Sequence, residues 1–295
     1  MNIAQFTADP FGTLRQARDA GGVVDLEVGG VGVMKYEQVR SLLTDGRLRA
    51  DFVNFLRRFG VSSGPFYAWM AISPLNRDGA EHQRYRTLMS RTFTPRSVER
   101  LRPFLRAAAH ELIDGFAAAG ACEFMDAFAD PYPSLGLCEL IGVPTEDRTR
   151  FRGWANTIGL GFSPLVSMHI AAVDDALTQL LAYTGALAET RRAAPCDDLV
   201  SRIAQAARED DWSDFEIQGF IAGLVFAGHE TTKNQLGWMV QNHCLGAALA
   251  RAELQEGLTA LVARLECPTV AEGSVWRPPL GINGPERLPI RVRTS

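Results

Sequence analysis

The chain has 295 residues, 46% of them hydrophobic, with a formal net charge of −4, enough for one large domain burying about 75% of its unfolded surface. Mild acidity argues against general nucleic-acid binding, which needs a net basic surface to neutralise phosphates. The five cysteines (Cys122, Cys138, Cys196, Cys244 and Cys267) are odd in number and lack a C-x-x-C pair. With no basic leader in residues 1–10 and no apolar run of the ~18 residues a membrane span needs, they fit a cytoplasmic protein without membrane contact.

The first readable elements are Val23 to Val28 and Val31 to Met34, two short strands joined at Gly29-Gly30, a pattern that predicts a hairpin. The glycines do not form a dinucleotide loop, because the G-x-G-x-x-G spacing is absent. From Tyr36 to Arg264 helical periodicity dominates, with loops expected at Ser63-Gly64-Pro65, Asp130-Pro131-Tyr132-Pro133 and Ala194-Pro195. Strand-and-turn grammar returns from Trp276 through Asn283-Gly284 to Val292. No repeat or linker divides the chain, so residues 1–295 read as a single domain, mainly α with small β-sheets.

The segment Asp78-Gly79-Ala80-Glu81-His82-Gln83-Arg84-Tyr85-Arg86 places His82 and Arg86 four apart, neighbours on one helix face that could grip a carboxylate. A solvated face is the commoner use of such a pair. Arg84, Arg86, Arg91, Arg96, Arg100 and Arg102 are opposed locally only by Glu99. They read either as a basic patch for an acidic partner or as idle surface charge.

Ser213-Asp214-Phe215-Glu216 is a capping-box sequence that predicts a helix running on through Phe220, Ile221, Leu224 and Val225. Its middle, Ala227-Gly228-His229-Glu230-Thr231-Thr232, departs from an apolar helix. The glycine costs about 1 kcal/mol against alanine, and a threonine hydroxyl bonding back to the carbonyl four residues earlier bends the rod. Small residues there suit a groove for a flat ligand, with Glu230 and Thr231 placed to relay protons; a polar face turned to water is the alternative. A zinc site of the H-E-x-x-H type is excluded, because the second histidine position is Lys233.

Cys244 stands in His243-Cys244-Leu245-Gly246-Ala247-Ala248-Leu249-Ala250-Arg251, before a helix marked by Leu254, Leu258, Leu261 and Leu265 and expected to end at Cys267-Pro268. A thiol at a helix mouth meets unpaired backbone N–H groups and a favourable dipole, which draw its pKa down to roughly 3.5–7.5 and make it a metal-binding thiolate. The competing reading is a buried free cysteine.

In this order the three segments resemble the cytochrome P450 superfamily in its soluble bacterial form. Residues 78–102, with Phe93-Thr94-Pro95-Arg96, look like the family's helix C. The stretch 227–232 matches its A-G-x-[D/E]-T-T motif, and Cys244 to Arg251 matches the start of its helix L. The resemblance implies a monooxygenase of secondary metabolism that carries heme b (iron protoporphyrin IX) and inserts one oxygen atom of O2 into a small apolar substrate. Electrons would come from a ferredoxin or flavodoxin-type donor. It assigns Cys244 as iron ligand, His82 and Arg86 as partners of the heme propionates, Glu230 and Thr231 as the proton relay, and Ala227 with Gly228 as the oxygen groove.

Between Thr232 and Cys244 the chain is shorter than the family pattern, lacking its helix K, its meander and the F-G-x-G half of the cysteine loop. Were residues 232–244 one rod, Thr231 and Cys244 would lie on the order of 20 Å apart along it. A break near Gly237 is therefore expected; extended, residues 233–243 reach roughly 36–40 Å. The shortening leaves two other readings open: a heme-free accessory protein that activates a partner such as a glycosyltransferase, or an inactive remnant.

Overall fold

The computed structural model describes the chain except Val28, residues 242–247, residues 277–283 and Ser295. Helices α1 (Ile3–Ala8) and α2 (Pro10–Asp19) lead into strands β1 (Val23–Asp25) and β2 (Val31–Val33). These pair antiparallel with Val24 opposite Gly32. Gly29 and Gly30 each adopt φ +86°, the left-handed region that a side chain would oppose, so the predicted glycine turn is present. Then come α3 (Tyr36–Leu43), α4 (Phe52–Arg58), α5 (Pro65–Ile72), α6 (Gly79–Thr92), α7 (Pro95–Glu99), α8 (Arg102–Ala117) and strand β3 (Ala121–Glu123).

The loop expected at Asp130-Pro131-Tyr132-Pro133 is instead a helix start. A π-helical turn at Met125–Ala129 runs directly into α9 (Pro131–Ile141), which opens on Pro131. Proline is tolerated there because the first N–H of a helix has no intrahelical partner. Tyr132 and Pro133 are buried, which a surface loop would not allow. Helices α10 (Arg148–Gly159), α11 (Val166–Ala193) and α12 (Leu199–Glu209) follow.

Helix α13 (Asp214–Gln241) is the axis of the molecule and packs on α9, α10 and α11. Its flanks carry the apolar load: Phe226 stacks on Phe162 with ring centroids 4.0 Å apart, and Trp69 Nε1 donates to Gly219 O at 2.9 Å. The expected break at Gly237 is absent, since α13 runs unbroken to Gln241. Gly237 is required by packing: a Cβ there would lie 2.3 Å from Pro285 Cγ and 2.9 Å from Met125 Sδ.

Helix α14 (Ala248–Arg264) packs on α8 and α13, so the two helices are separate elements rather than one rod. It ends at Arg264, earlier than expected, and Cys267-Pro268 lies inside strand β4 (Leu265–Val270). Pro268 falls where the pairing register shifts between Glu266 and Thr269, a bulge position where the missing N–H costs no ladder bond. Strands β5 (Val275–Trp276), β6 (Pro285–Arg287) and β7 (Pro289–Thr294) complete a β3-β7-β4 sheet and a β5-β6 pair. The fold is mainly α with small β-sheets. Among the described residues no helix is long and apolar enough to cross a membrane.

Candidate active site

The first turn of α13 forms as the capping box requires. Ser213 N donates to Glu216 Oε2 at 2.9 Å and Glu216 N donates to Ser213 Oγ at 3.3 Å, satisfying two end groups reciprocally. Further along, Ala227 and Thr231 are exposed and Leu224, Gln235 and Trp238 half-buried, while His229, Glu230, Lys233 and Leu236 are buried. The first set recurs at three- and four-residue steps, so these residues share one face of the helix, and Ala227 and Thr231 are the exposed residues of the stretch 216–238. Thr231 Oγ1 donates to the Ala227 carbonyl, the expected back-bond. Gly228 is a point of close helix approach, where a Cβ would lie 3.1 Å from Leu137 Cδ1 of α9.

Glu230 and Thr231 are sequence neighbours on different faces. Glu230 is 0% exposed; its Oε2 lies 3.0 Å from Lys233 Nζ, and Asn234 Nδ2 donates to its Oε1 at 3.0 Å. Lys233 Nζ also donates to Asn156 Oδ1 at 2.6 Å and lies 3.6 Å from Asp130 Oδ1. His229 Nε2 lies 3.1 Å from the same Asp130 oxygen, close but off hydrogen-bond geometry. Burial, then the Lys233 charge, pull the His229 pKa down to about 4 against the opposing pull of Asp130 and Glu230, so the imidazole is neutral at pH 7.

Sequence reasoning missed Lys233, Asp130, Asn156 and Asn234 as companions of Glu230. The signal for two of them was a lysine and an asparagine at i+3 and i+4 from an acid in an apolar helix. Asp130 and Asn156 come from α9's leading end and α10, and only the tertiary fold brings them in.

His82 and Arg86 lie one turn apart on α6, half-buried and exposed respectively. Neighbouring arginines are engaged: Arg84 pairs with Glu216 at 2.8 Å, Arg91 with Asp210 at 3.2 Å, Arg100 with Asp197 at 2.5 Å, and Arg102 with both Glu99 and Glu256. The basic patch read from residues 84–102 is thus largely neutralised by acids distant in sequence. Among the described residues neither His82 nor Arg86 has an ion pair or side-chain hydrogen bond. Cys244 lies outside the described residues, four positions before α14 begins.

The residues described fit a planar cofactor bearing two carboxylates. The open face of α13 offers a small side chain and a hydroxyl, and α6 offers the Arg86 guanidinium and the His82 imidazole, neither in an ion pair among the described residues while their neighbours are paired. Fold and site together define a helical protein organised around one central helix.

No known family profile matches the chain. It is 26% identical over 355 residues to luteothin monooxygenase of Streptomyces thioluteus, covering 88% of this chain and 87% of that protein. That alignment is longer than the 295-residue chain, so it spans positions this chain does not carry. The chain is 36% identical over 208 residues to mycinamicin IV hydroxylase/epoxidase of Micromonospora griseorubida, covering 69% of this chain but only 50% of that relative's length. Among solved structures it is similar to the bacillaene polyketide synthase cytochrome P450 PksS of Bacillus subtilis, with a TM-score of 0.81, 22% identity and 98% of each chain covered. The chain belongs to the cytochrome P450 superfamily, and by resemblance it is a cytochrome P450-type monooxygenase.

Proposed function

We propose that the chain holds heme b through the Cys244 thiolate and inserts one oxygen atom of O2 into a small apolar substrate. The observation that carries this reading is the open face of α13, where Ala227 and Thr231 are the exposed residues of the stretch 216–238. Bound heme would supply the reductive activation of O2. His82 and Arg86 would bind its propionates, the bulk of the charge being met by Arg86 with a hydrogen bond from His82. Ala227 leaves room beside the helix backbone, with Gly228 keeping the helix close to α9. The Thr231 hydroxyl holds a proton on the open side and Glu230 supplies the acid on the sealed side. A ferredoxin or flavodoxin-type protein would deliver electrons, docking by shape as much as by charge because most arginines in 84–102 are internally paired. A cytoplasmic location suits the cysteine usage.

The test is expression with added heme. The expected result is a reduced, carbon monoxide-bound spectrum of thiolate-ligated iron that Cys244→Ser abolishes. A heme-bound protein whose spectrum is unchanged by Cys244→Ser would overturn the assignment of the ligand.

One observation favours a second reading, a heme-free accessory protein that docks on a partner. Helix α3 buries none of its residues, with Tyr36 and Leu43 74% and 82% exposed, and Val23 and Val31 of the two-stranded sheet are exposed as well. Exposed apolar clusters of this kind mark contact surfaces. A colourless, monomeric, well-folded product from heme-supplemented expression would select that reading.

A further inference from the structure

Away from α13, positive charge outweighs negative where α6, α7 and α12 meet. Arg91, Arg96, Arg100 and Arg202 gather there around two carboxylates, Asp197 and Asp210. Asp197 is held at 2.5 Å by Arg100 and reached by Arg202 only at 3.3 Å. Arg100, then Arg202 and Arg96, hold its carboxyl below the usual carboxylate range. Asp210 meets Arg91 at 3.2 Å. The two longer pairs each use one terminal nitrogen of a guanidinium, which leaves most of the Arg91 and Arg202 donors unspent. Arg202 Nε is buried with no acceptor, a costly state for a donor.

These two arginines line one cleft of about 220 Å³, together with Thr92, Gln205 and Ala206 and, among the described residues, no acid. Arg202, Gln205 and Ala206 are spaced to share one face of α12, which packs here on α6. The Thr92 hydroxyl is spent on the Leu88 carbonyl at 2.8 Å, whereas the exposed Gln205 side chain makes no hydrogen bond among the described residues. The cleft exceeds the roughly 30 Å³ share of one water several times over, yet falls short of the roughly 300–1,000 Å³ that encloses a drug-sized molecule. It therefore suits a compact anionic group rather than a whole organic ligand. We propose that this cleft binds the phosphate or diphosphate group of a small ligand, held between the guanidinium groups of Arg91 and Arg202 with the Gln205 amide donating beside them. The last carbonyls of α6, which ends at Thr92, oppose an anion, but their partial charge fades within a turn. Two guanidinium groups each bring a full charge and a planar fork of donors matched to phosphate oxygens. A bound anion also relieves the repulsion among arginines that outnumber their acids. The site is separate from the open face of α13 and does not depend on the monooxygenase reading.

Isothermal titration of the full chain with sodium pyrophosphate at fixed ionic strength tests it. The expected result is saturable one-site binding with a Kd on the order of 1 mM or tighter. Arg91→Gln and Arg202→Gln should each weaken binding about tenfold or more, the loss of a charge-assisted contact. Arg40→Gln, which removes an exposed arginine of α3 without an ion pair among the described residues, should leave it unchanged. Arg91 and Arg202 are 50% and 32% exposed, and Asp197 keeps Arg100 when Arg202 is replaced, so neither variant strands a buried charge. ADP binding as tightly as pyrophosphate identifies the phosphorylated end of an organic ligand, and pyrophosphate binding alone identifies the free anion; both support the site. Heat that never saturates overturns the proposal, and so does equal affinity in wild type, Arg202→Gln and Arg40→Gln. Phenylglyoxal labelling of the wild type, read by mass spectrometry, decides the matter even if a variant fails to fold. Pyrophosphate should slow labelling of Arg91 and Arg202 but not of Arg40, and unchanged rates at the first two overturn the proposal.

Discussion

Arg84 and Glu216 meet at 2.8 Å across 132 positions of sequence, and through them α6 is tied to the first turn of α13. The same Arg84 guanidinium lies 4.1 Å from the Trp212 ring centroid and donates to the carbonyls of Asp210 and Asp211. Glu216 closes the capping box with its other oxygen. One carboxylate thus starts the central helix and fixes the helix that carries His82 and Arg86.

Glu216→Ala should therefore cost about 1–2 kcal/mol of unfolding free energy, the range for losing a cap with a charge-assisted partner. Burial would raise the Glu216 pKa, but the Ser213 and Arg84 contacts outweigh it and the net pKa lies below 4.5. A carboxylate with a depressed folded pKa contributes stability above its unfolded pKa and loses it as pH falls through the folded value. The difference between wild type and Glu216→Gln in urea titrations should accordingly be largest near pH 7 and shrink as the pH drops below 4.5. A difference that is constant with pH would rule out the ionised carboxylate as its source.

Gly237→Ala sets two effects against each other. Alanine is better than glycine in a helix interior by about 1 kcal/mol, yet its methyl would lie 2.3 Å from Pro285 Cγ. Overpacking of this kind costs typically 1–3 kcal/mol, and the partner is a stiff ring, so the net effect should be destabilising. Thermal unfolding of Gly237→Ala below the wild-type Tm is the expected result; an increase would mean that β6 moves freely off α13.

The same glycine shows where sequence reasoning stopped. Read along the chain, Gly237 was the weak link of a rod that had to bend; in space it is a notch for Pro285, a residue 48 positions away. The periodic features were legible: the Gly29-Gly30 turn, the capping box at Ser213 and the helix through Thr232 all depend on neighbours within a few residues. The ends governed by distant partners were not, including the start of α9 at Pro131 and the end of α14 at Arg264. At the site, Thr231 and Ala227 could be placed on one face from spacing alone. The contact of Glu230 with Lys233 is a local i, i+3 pairing, but that Lys233 in turn meets Asn156 and Asp130 depends on how α9 and α10 pack, which no local pattern encodes. The arginines of 84–102 were legible as charge but not as pairs, because their partners at 197, 210, 216 and 256 come from distant parts of the chain.

His229 should impose its own pH dependence. Its folded pKa is drawn down to about 4 from 6.5, chiefly by burial, so the unfolded chain binds the proton that the folded one refuses. Stability from this group is full above pH 6.5 and falls as pH drops from 6.5 towards 4, below which the slope vanishes. The full span is on the order of 3 kcal/mol. Guanidinium unfolding of wild type and His229→Gln between pH 4 and 7 should show this slope in the wild type alone; equal slopes would move the titrating group elsewhere.

Arg86→Ala should weaken heme retention without unfolding the protein. The Arg86 side chain is exposed and makes no ion pair among the described residues, so its removal leaves no buried charge behind, and its loss should change Tm of the heme-free chain little. If it binds a propionate, the variant loses a charge-assisted hydrogen bond, worth about 1.5–3 kcal/mol, or roughly 10- to 150-fold in heme affinity. Arg100→Ala is the control, because Arg100 is committed to Asp197 and has no assigned contact with heme. Transfer of heme to excess apomyoglobin reads the dissociation rate directly. Faster loss from Arg86→Ala, with Arg100→Ala matching wild type, is the expected pattern; equal rates in all three would place the propionates away from α6.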